Sequence, residues 1–264
     1  MIPASHITHW RSIAPWAGDH QVEQDLVLSR VLVEIFSDPL LGRSLAFRGG
    51  TALHKLIFPR PLRFSDDIDL VQVAGGRIGD IMKPLRDRLD PLLGRSTFSR
   101  SPVGHSAYYR FRSEIPPVQP LRLKIEINTR EHFNVLGLQR LPFRVASPWF
   151  TGEAEILTYR AEELCATKLR ALYQRLKGRD LFDLSAILDQ NLVDPEIAIR
   201  CSLEYLKAGR RHITRKQFTN NLKAKIKRPA FRDDIVPLLP PGATYDPDAS
   251  YERVMHKLIE RWPE

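Results

Sequence analysis

Three short stretches of the chain combine residue types able to do chemistry on phosphates. The first is Phe47-Arg48-Gly49-Gly50-Thr51-Ala52-Leu53, in which two glycines separate a short apolar run from a helical one. Glycine lets a backbone approach a phosphate closely, and the amides and dipole at a helix start favour negative charge. Thr51 adds a hydroxyl donor; the same residues also describe a tight turn with an N-capping threonine. The second stretch, Ser65-Asp66-Asp67-Ile68-Asp69-Leu70, sets Asp67 and Asp69 two apart at the start of an apolar strand, so both carboxylates leave one face. Such a pair repels itself unless a cation lies between. All-oxygen ligation suits Mg²⁺, with Mn²⁺ as a substitute, because Mg²⁺ keeps waters and takes further ligands from substrate phosphates. The plainer alternative is an acidic turn ahead of a strand, to which Asp66 belongs. In the third stretch, Leu121–Asn128, Leu121, Leu123, Ile125 and Ile127 alternate with Arg122, Lys124, Glu126 and Asn128. Glu126 there is simply on a solvated face unless this strand neighbours Asp67 and Asp69.

The elements that must position these residues follow from periodicity. Apolar spacing predicts a helix over Gln21–Phe36, a strand over Leu45–Arg48, and a helix from Thr51 that Pro59 and Pro61 stop. Ile68–Val73 reads as a strand and Arg77–Leu93 as a helix. Tyr108–Arg112 and Leu121–Asn128 read as a strand pair around a proline loop. Beyond Ser147-Pro148 the pattern is helical, over Ala161–Leu176, Asp180–Leu188, Glu196–Leu206, Arg215–Ile226 and Tyr251–Arg261. The expected architecture is α+β, with a mixed domain over 1–150, a break in the polar, Pro- and Gly-bearing stretch Ser147–Thr158, and a helical domain over 151–264. In the first of the long helices Lys168 shares a stripe with Leu164 and Leu172, where a lysine is costly to bury unless paired or facing a cleft. Asp180 and Asp183 fall in the first turns of the next helix, where the dipole favours acids in any case. His6 and His9 are expected in a disordered terminus, His54 and His132 as solvated histidines, and Cys165 as a small core residue.

Composition narrows the classes. The chain of 264 residues has 40 Lys and Arg against 31 Asp and Glu, and two cysteines, which excludes collagenous, disordered and disulfide-scaffold proteins. Its longest uncharged run, Ile235–Tyr245, contains three prolines and is too short to span a bilayer. No secretory signal pattern opens the chain, and a reducing cytoplasm is the expected location. Residues 200–232 hold eleven Lys and Arg against one acid, Glu204, so the whole excess of +9 is concentrated there. Arg210, Arg211, Arg215, Lys216, Lys223, Lys225, Lys227 and Arg228 form the candidate surface for an anionic partner.

Taken together, these stretches resemble the DNA polymerase β-like nucleotidyltransferase superfamily. Three blocks narrow the resemblance: Lys124-Ile-Glu126-Ile-Asn-Thr-Arg130-Glu, Lys168-Leu-Arg-Ala-Leu-Tyr-Gln-Arg175, and Arg179-Asp180-Leu-Phe-Asp183-Leu184. With them the chain is similar to the AbiEii/AbiGii toxins, which include the MenT toxins, over Arg48–Leu184. The resemblance implies a polymerase β-like sheet with flanking helices, followed by a helical domain. It implies that Asp67 and Asp69, with Glu126 as third ligand, hold Mg²⁺. It also implies that Arg48, Gly49, Gly50, Thr51 and Ser65 surround a nucleoside triphosphate. Lys168 is then a triphosphate contact or a site-organising charge, and Asp180 or Asp183 belongs to the active site. Ser65 occupies the place of a regulatory phosphorylation site, where a phosphate beside the aspartates would repel metal.

The implied activity is nucleotidyl transfer to an acceptor, with the 3′ end of tRNA as the expected one and inhibited translation as the result, in a toxin–antitoxin or phage-defence pair with its own antitoxin. The alternatives are a non-catalytic protein that binds nucleic acid or an antitoxin through the basic segment, and a small-molecule nucleotidyltransferase.

Overall fold

Between residues 45 and 159 the chain supplies seven strands, and the alternation of buried and open positions along them decides which face each residue takes. The computed structural model describes residues 2–264. These residues divide into two units, one running to Phe133 and including Leu138–Tyr159, the other made of Asn134–Gly137 and Arg160–Glu264. The class is α+β, as expected from the sequence.

The first unit contains α1 (Ala4–Trp10), α2 (Asp19–Ser37), the single turn α3 (Leu41–Ser44), β1 (Leu45–Arg48), α4 (Gly49–Ala52), β2 (Asp67–Gln72), α5 (Gly79–Leu93), β3 (Thr97–Ser101), β4 (Gly104–Arg112), β5 (Pro120–Asn128), β6 (Leu138–Ala146) and β7 (Thr151–Tyr159). The strands form one mixed sheet in the order β3-β4-β5-β2-β1-β7-β6. β2 runs parallel to β5 and antiparallel to β1, which in turn runs parallel to β7. Leu123, Ile125, Ile127, Ile68 and Leu70 are buried on one side of the sheet, which is why the alternation in β5 is readable from its residues.

Helix α2 is buried nearly all round. Besides Val22, Leu26, Val31, Leu32 and Ile35 it encloses Glu23, Gln24, Asp25 and Ser29. These buried polar groups are satisfied: Glu23 accepts the amide of Glu114 at 2.9 Å, and Gln24 donates to the carbonyl of Arg122 at 2.9 Å. Asp25 accepts from the indoles of Trp10 and Trp16 at 2.8 and 3.2 Å and from the Lys55 ammonium at 2.7 Å. Lys55 lies in the π-helical turn Leu53–Ile57 that continues α4, so Asp25 fastens the helix following the two glycines to the body of the unit.

Several expectations are corrected here. His6 and His9 lie in α1, a folded helix anchored by the buried Ile7 and Trp10, not in a disordered terminus. The Ser147–Thr158 stretch is the turn of a hairpin and the strand β7, whose Thr158 pairs with Phe47 of β1, so the first unit runs on to Tyr159. A Pro- and Gly-bearing turn that closes a hairpin has the same composition as a linker. β3 is not foreseen by the residue pattern because Thr-Phe-Ser-Arg-Ser has no buried face; pairing with β4 alone makes it a strand.

The second unit holds α6 (Ala161–Gln174), α7 (Gly178–Asp189), α8 (Pro195–Ala208), α9 (Arg215–Ile226), the short α10 (Pro229–Arg232) and α11 (Pro247–Val254). Leu164, Cys165, Leu169, Leu172, Leu184 and Phe218 are among its buried residues. Burial pushes the Cys165 thiol up to about 12, which suits a core residue and not a nucleophile. The buried Glu163 accepts the amides of Val135 and Leu136 at 2.7 and 3.0 Å and the hydroxyl of Tyr205 at 2.7 Å, tying the 134–137 loop to α6 and α8. Among the described residues no helix is long and apolar enough to cross a membrane.

Candidate active site

Strand register builds the acidic site. Asp67 pairs with Lys124 and Asp69 with Glu126 across the parallel β2–β5 ladder, while Arg48 pairs with Asp69 across β1–β2. Residues paired in a sheet share a face, so Arg48, Asp67, Asp69, Lys124 and Glu126 all leave the side opposite the buried Ile68, Leu70 and Ile125. β5 therefore neighbours β2, the condition under which Glu126 belongs with the aspartates. Its carboxylate is ion-paired with Lys124, two residues away on the same face. Burial pulls the Lys124 ammonium down, but Glu126, then Asp67 and Asp69, hold it above the usual lysine range.

Asp67 shows what the crowding costs. Its carboxyl rises from an ordinary 3.8 to about 6, first because it is partly buried, then because Asp66 and Asp69 repel its charge. A divalent cation between the carboxylates would remove that repulsion, and the donors are all oxygen, so the residues fit Mg²⁺. Among the described residues no three His, Cys, Asp or Glu side chains are placed to hold a metal ion together; Glu126, expected as the third ligand, is paired with Lys124 instead.

The turn after β1 is shaped around Asp69. Gly49 has φ of +83°, and a Cβ there would sit 2.2 Å from Asp69 Oδ2, so only glycine fits both backbone and neighbour. Gly49→Ala is expected to displace the Asp69 carboxylate and to weaken metal-dependent triphosphate binding at least tenfold, at a stability cost of about 1–3 kcal/mol. Calorimetric titration of the variant with a Mg²⁺–nucleotide complex checks this, and wild-type affinity would refute it.

Thr51 is not the N-cap; the helix starts at Gly49 with Arg48 before it. The buried Thr51 hydroxyl donates to the carbonyl of Asp67 at 2.5 Å and lies 2.8 Å from Ser65 Oγ. It therefore pins α4 to the start of β2. Ser65 is thus adjacent to the aspartates through Thr51. Arg48 binds Glu131 at 2.7 Å, and despite burial this partner holds its guanidinium above the usual range.

The histidines divide. His54 is buried, accepts the amide of Leu62 at 3.2 Å and packs on Phe58, so it supports the helix instead of meeting solvent. His132 Nδ1 lies 2.8 Å from the carbonyl of Gln72 at the end of β2.

In the second unit Lys168, Asp180 and Asp183 come together. The Lys168 ammonium lies 3.0 Å from Asp180 Oδ1 and 2.7 Å from Asp183 Oδ2, and both carboxylates have 0% exposure. Arg175, part of the same sequence block, adds a bidentate contact to Asp180 at 2.6 and 2.7 Å. Burial alone would raise the Asp180 carboxyl; Lys168 and Arg175 outweigh it and hold the group below the ordinary carboxylate range.

The basic segment needs a correction. Lys225 is buried and its ammonium donates to the carbonyls of Leu172 and Tyr173, closing the end of α6, so it is not part of a partner surface. Burial lowers it to about 8. The spacing 218, 222, 225 carries the signal, since it continues the apolar face of α9 better than Ile226 does. Arg215 is half-buried on the carbonyl of Trp262. Arg210, Arg211, Lys216, Lys223, Lys227 and Arg228 remain exposed.

Comparison with known proteins adds the family. The chain matches the model of the nucleotidyl transferase AbiEii toxin family, type IV toxin–antitoxin system, over residues 30–256. Its fold is similar to that of MenT4, a nucleotidyltransferase toxin from Mycobacterium tuberculosis H37Rv, with a TM-score of 0.72 at 19% identity, covering 99% of this chain and 90% of that one. JHP933 from Helicobacter pylori is similar at a TM-score of 0.54 and 15% identity, covering 92% of this chain and 91% of that one. No curated protein matches the sequence significantly. The family match spans most of the chain, including both aspartates and the Gly-Gly-Thr turn: the chain belongs to the AbiEii family of nucleotidyltransferase toxins of type IV toxin–antitoxin systems.

Proposed function

We propose that this nucleotidyltransferase uses Mg²⁺ to move a nucleoside monophosphate from a triphosphate onto the 3′ end of tRNA, which would block translation until a cognate antitoxin intervenes. The observation that carries the reading is the register that sets Asp69 beside Glu126 with Asp67 two residues away, under a glycine that leaves room for Asp69 alone. Asp67 and Asp69 would hold the metal, with Glu126 joining when Lys124 releases it. Bound there, Mg²⁺ would neutralise charge on the phosphates and favour ionisation of the attacking hydroxyl. The acceptor oxygen forms a bond to the α-phosphorus, the bond from that phosphorus to the bridging oxygen breaks, and pyrophosphate leaves. The hydroxyl proton passes to the carboxylate cluster. Gly49 and Gly50 would present amides to the phosphates, while Thr51 holds the turn in place and Arg48 adds positive charge. Lys168, with Asp180 and Asp183, is the organising charge of its own unit.

The exposed Arg210, Arg211, Lys216, Lys223, Lys227 and Arg228 suit the phosphates of a tRNA body or an acidic antitoxin face. Purified protein with Mg²⁺, total tRNA and each α-labelled nucleoside triphosphate in turn should label tRNA, and chelation should stop it. Absence of transfer from every nucleotide would end this reading.

A further inference from the structure

The face that carries the aspartates continues outward along β4 and β5, and its chemistry changes sign. Tyr108 pairs with Lys124, Arg110 with Arg122 and Arg112 with Pro120, so Tyr108, Arg110, Arg112, Arg122 and Lys124 share the side occupied by Asp67, Asp69 and Glu126. The paired positions of β3 on this face are Thr97, Ser99 and Ser101. Among the described residues, no acid occupies this face of β3, β4 or β5 from Glu126 outward. Four cations thus stand together outside residues 200–232, where the charge of the remaining chain sums to −1. Arg110, Arg112 and Arg122 are open to solvent, and a groove of about 320 Å³ at this end of the strand pair is lined by Arg110, Phe111, Arg112, Pro120, Leu121 and Arg122.

The cations are arranged around an aromatic ring. The Arg122 guanidinium lies 5.5 Å and that of Arg110 6.0 Å from the centre of the Tyr108 ring. Arg110 is held in place by Thr97 at 2.7 Å, and the Tyr108 hydroxyl by Ser99 at 3.3 Å. An Arg-Tyr-Arg cluster offers π-faces for unpaired bases and charges for the phosphates between them. From Glu126 to Arg122 the strand rises about 13 Å, roughly four stacked nucleotides at about 3.4 Å each. A duplex offers no open base to stack; a single strand does.

We infer that the Tyr108–Arg110–Arg112–Arg122–Lys124 track binds the single-stranded 3′ end of a polynucleotide acceptor and leads its terminal hydroxyl toward Asp67 and Asp69. The inference rests on the transferase reading for its direction, but the binding itself can be measured without turnover. It also separates two jobs: the track takes the unpaired end, and the exposed cations of residues 200–232 are left to the acceptor's body or to the antitoxin.

The experiment uses the full chain and a short fluorescent single-stranded RNA, with anisotropy read across a salt series. Tyr108→Ala should weaken binding about fivefold to a hundredfold, the loss of one base–aromatic stack. The double variant Arg110→Ala/Arg122→Ala should flatten the slope of log affinity against log salt by about 1.4, at roughly 0.7 for each phosphate no longer neutralised. Its substitutions are at solvent-facing positions and should leave the thermal midpoint and Mg²⁺–nucleotide affinity as in the wild type. Wild-type affinity and slope in both variants overturn the inference. So does a double variant that keeps RNA but loses an acidic polyglutamate peptide, which would give the face to a protein partner. A wild-type protein that binds RNA with the expected slope yet transfers no nucleotide refutes the transferase reading alone and leaves the track standing.

Discussion

Asp67→Asn is expected to lower nucleotide transfer at least about a thousandfold while making the metal-free protein more stable, and Asp69→Asn to match the loss of transfer. A cation holding phosphates and nucleophile together contributes several kcal/mol to the transition state, and each 1.36 kcal/mol is about tenfold in rate. The gain in stability follows from the displaced carboxyl. In the folded chain Asp67 titrates near 6, against an ordinary 3.8, because of burial and then Asp66 and Asp69. The folded state therefore holds this proton more tightly than the unfolded chain. No penalty exists below about 3.8; it grows as pH rises toward 6 and is fully present above, on the order of 3 kcal/mol. Asparagine removes it, so without divalent metal the variant should melt a few degrees higher than wild type at pH 7.5 and no higher at pH 4. Mg²⁺ should raise the wild-type melting temperature at pH 7.5, much less at pH 5 where the proton competes, and scarcely that of the variant. At limiting Mg²⁺ the wild-type transfer rate should climb with pH through about 6. An Asp67→Asn protein that melts below the wild type at pH 7.5 without metal would show that the carboxylate cluster is not strained, and the argument for a cation there would lose its physical basis.

The parts of this site differ in how far they can be read from the residues. Asp67 and Asp69 declare themselves because a strand has period two, and Gly49-Gly50-Thr51 because two glycines between a strand and a helix are locally unusual. Glu126 cannot be placed without knowing which strand lies beside β2; the register Asp69 to Glu126 is a long-range fact that no local pattern encodes. The same gap hides the basic track. Arg110, Arg112 and Arg122 are evenly spaced on strands that the residue pattern predicts, yet β4 and β5 have to be paired before their charges add up. Net charge misleads here, since the total of −1 for all residues outside 200–232 conceals one acidic and one basic end of a single face. Asp25 is invisible for another reason: its partners, Trp10, Trp16 and Lys55, lie on three separate segments and converge only in the folded unit.

Lys168→Met is expected to destabilise the protein by about 3–5 kcal/mol, the usual cost of removing one partner from a buried ion network. The ammonium bridges Asp180 and Asp183, Arg175 pairs with Asp180 as well, and both carboxylates are fully enclosed. Without the lysine two anions share a dry setting with too little positive charge, and one of them must take up a proton. That reverses the pH dependence. In the wild type Asp180 is depressed by Lys168 and Arg175, so its contribution is present above the ordinary carboxylate range and lost as pH falls through its lowered value. In the variant the unbalanced pair binds protons more tightly than the unfolded chain, so stability falls as pH rises. The deficit relative to wild type should therefore be larger at pH 8 than at pH 5. Adding Asp183→Asn to Lys168→Met removes the surplus charge and leaves Asp180 with its bidentate Arg175. This double variant should recover a large part of the loss, a coupling that chemical denaturation of the four proteins in the cycle measures directly. Transfer activity should return together with stability if Lys168 acts by organising its own unit. Recovered stability with activity still absent would instead assign the ammonium to the triphosphate.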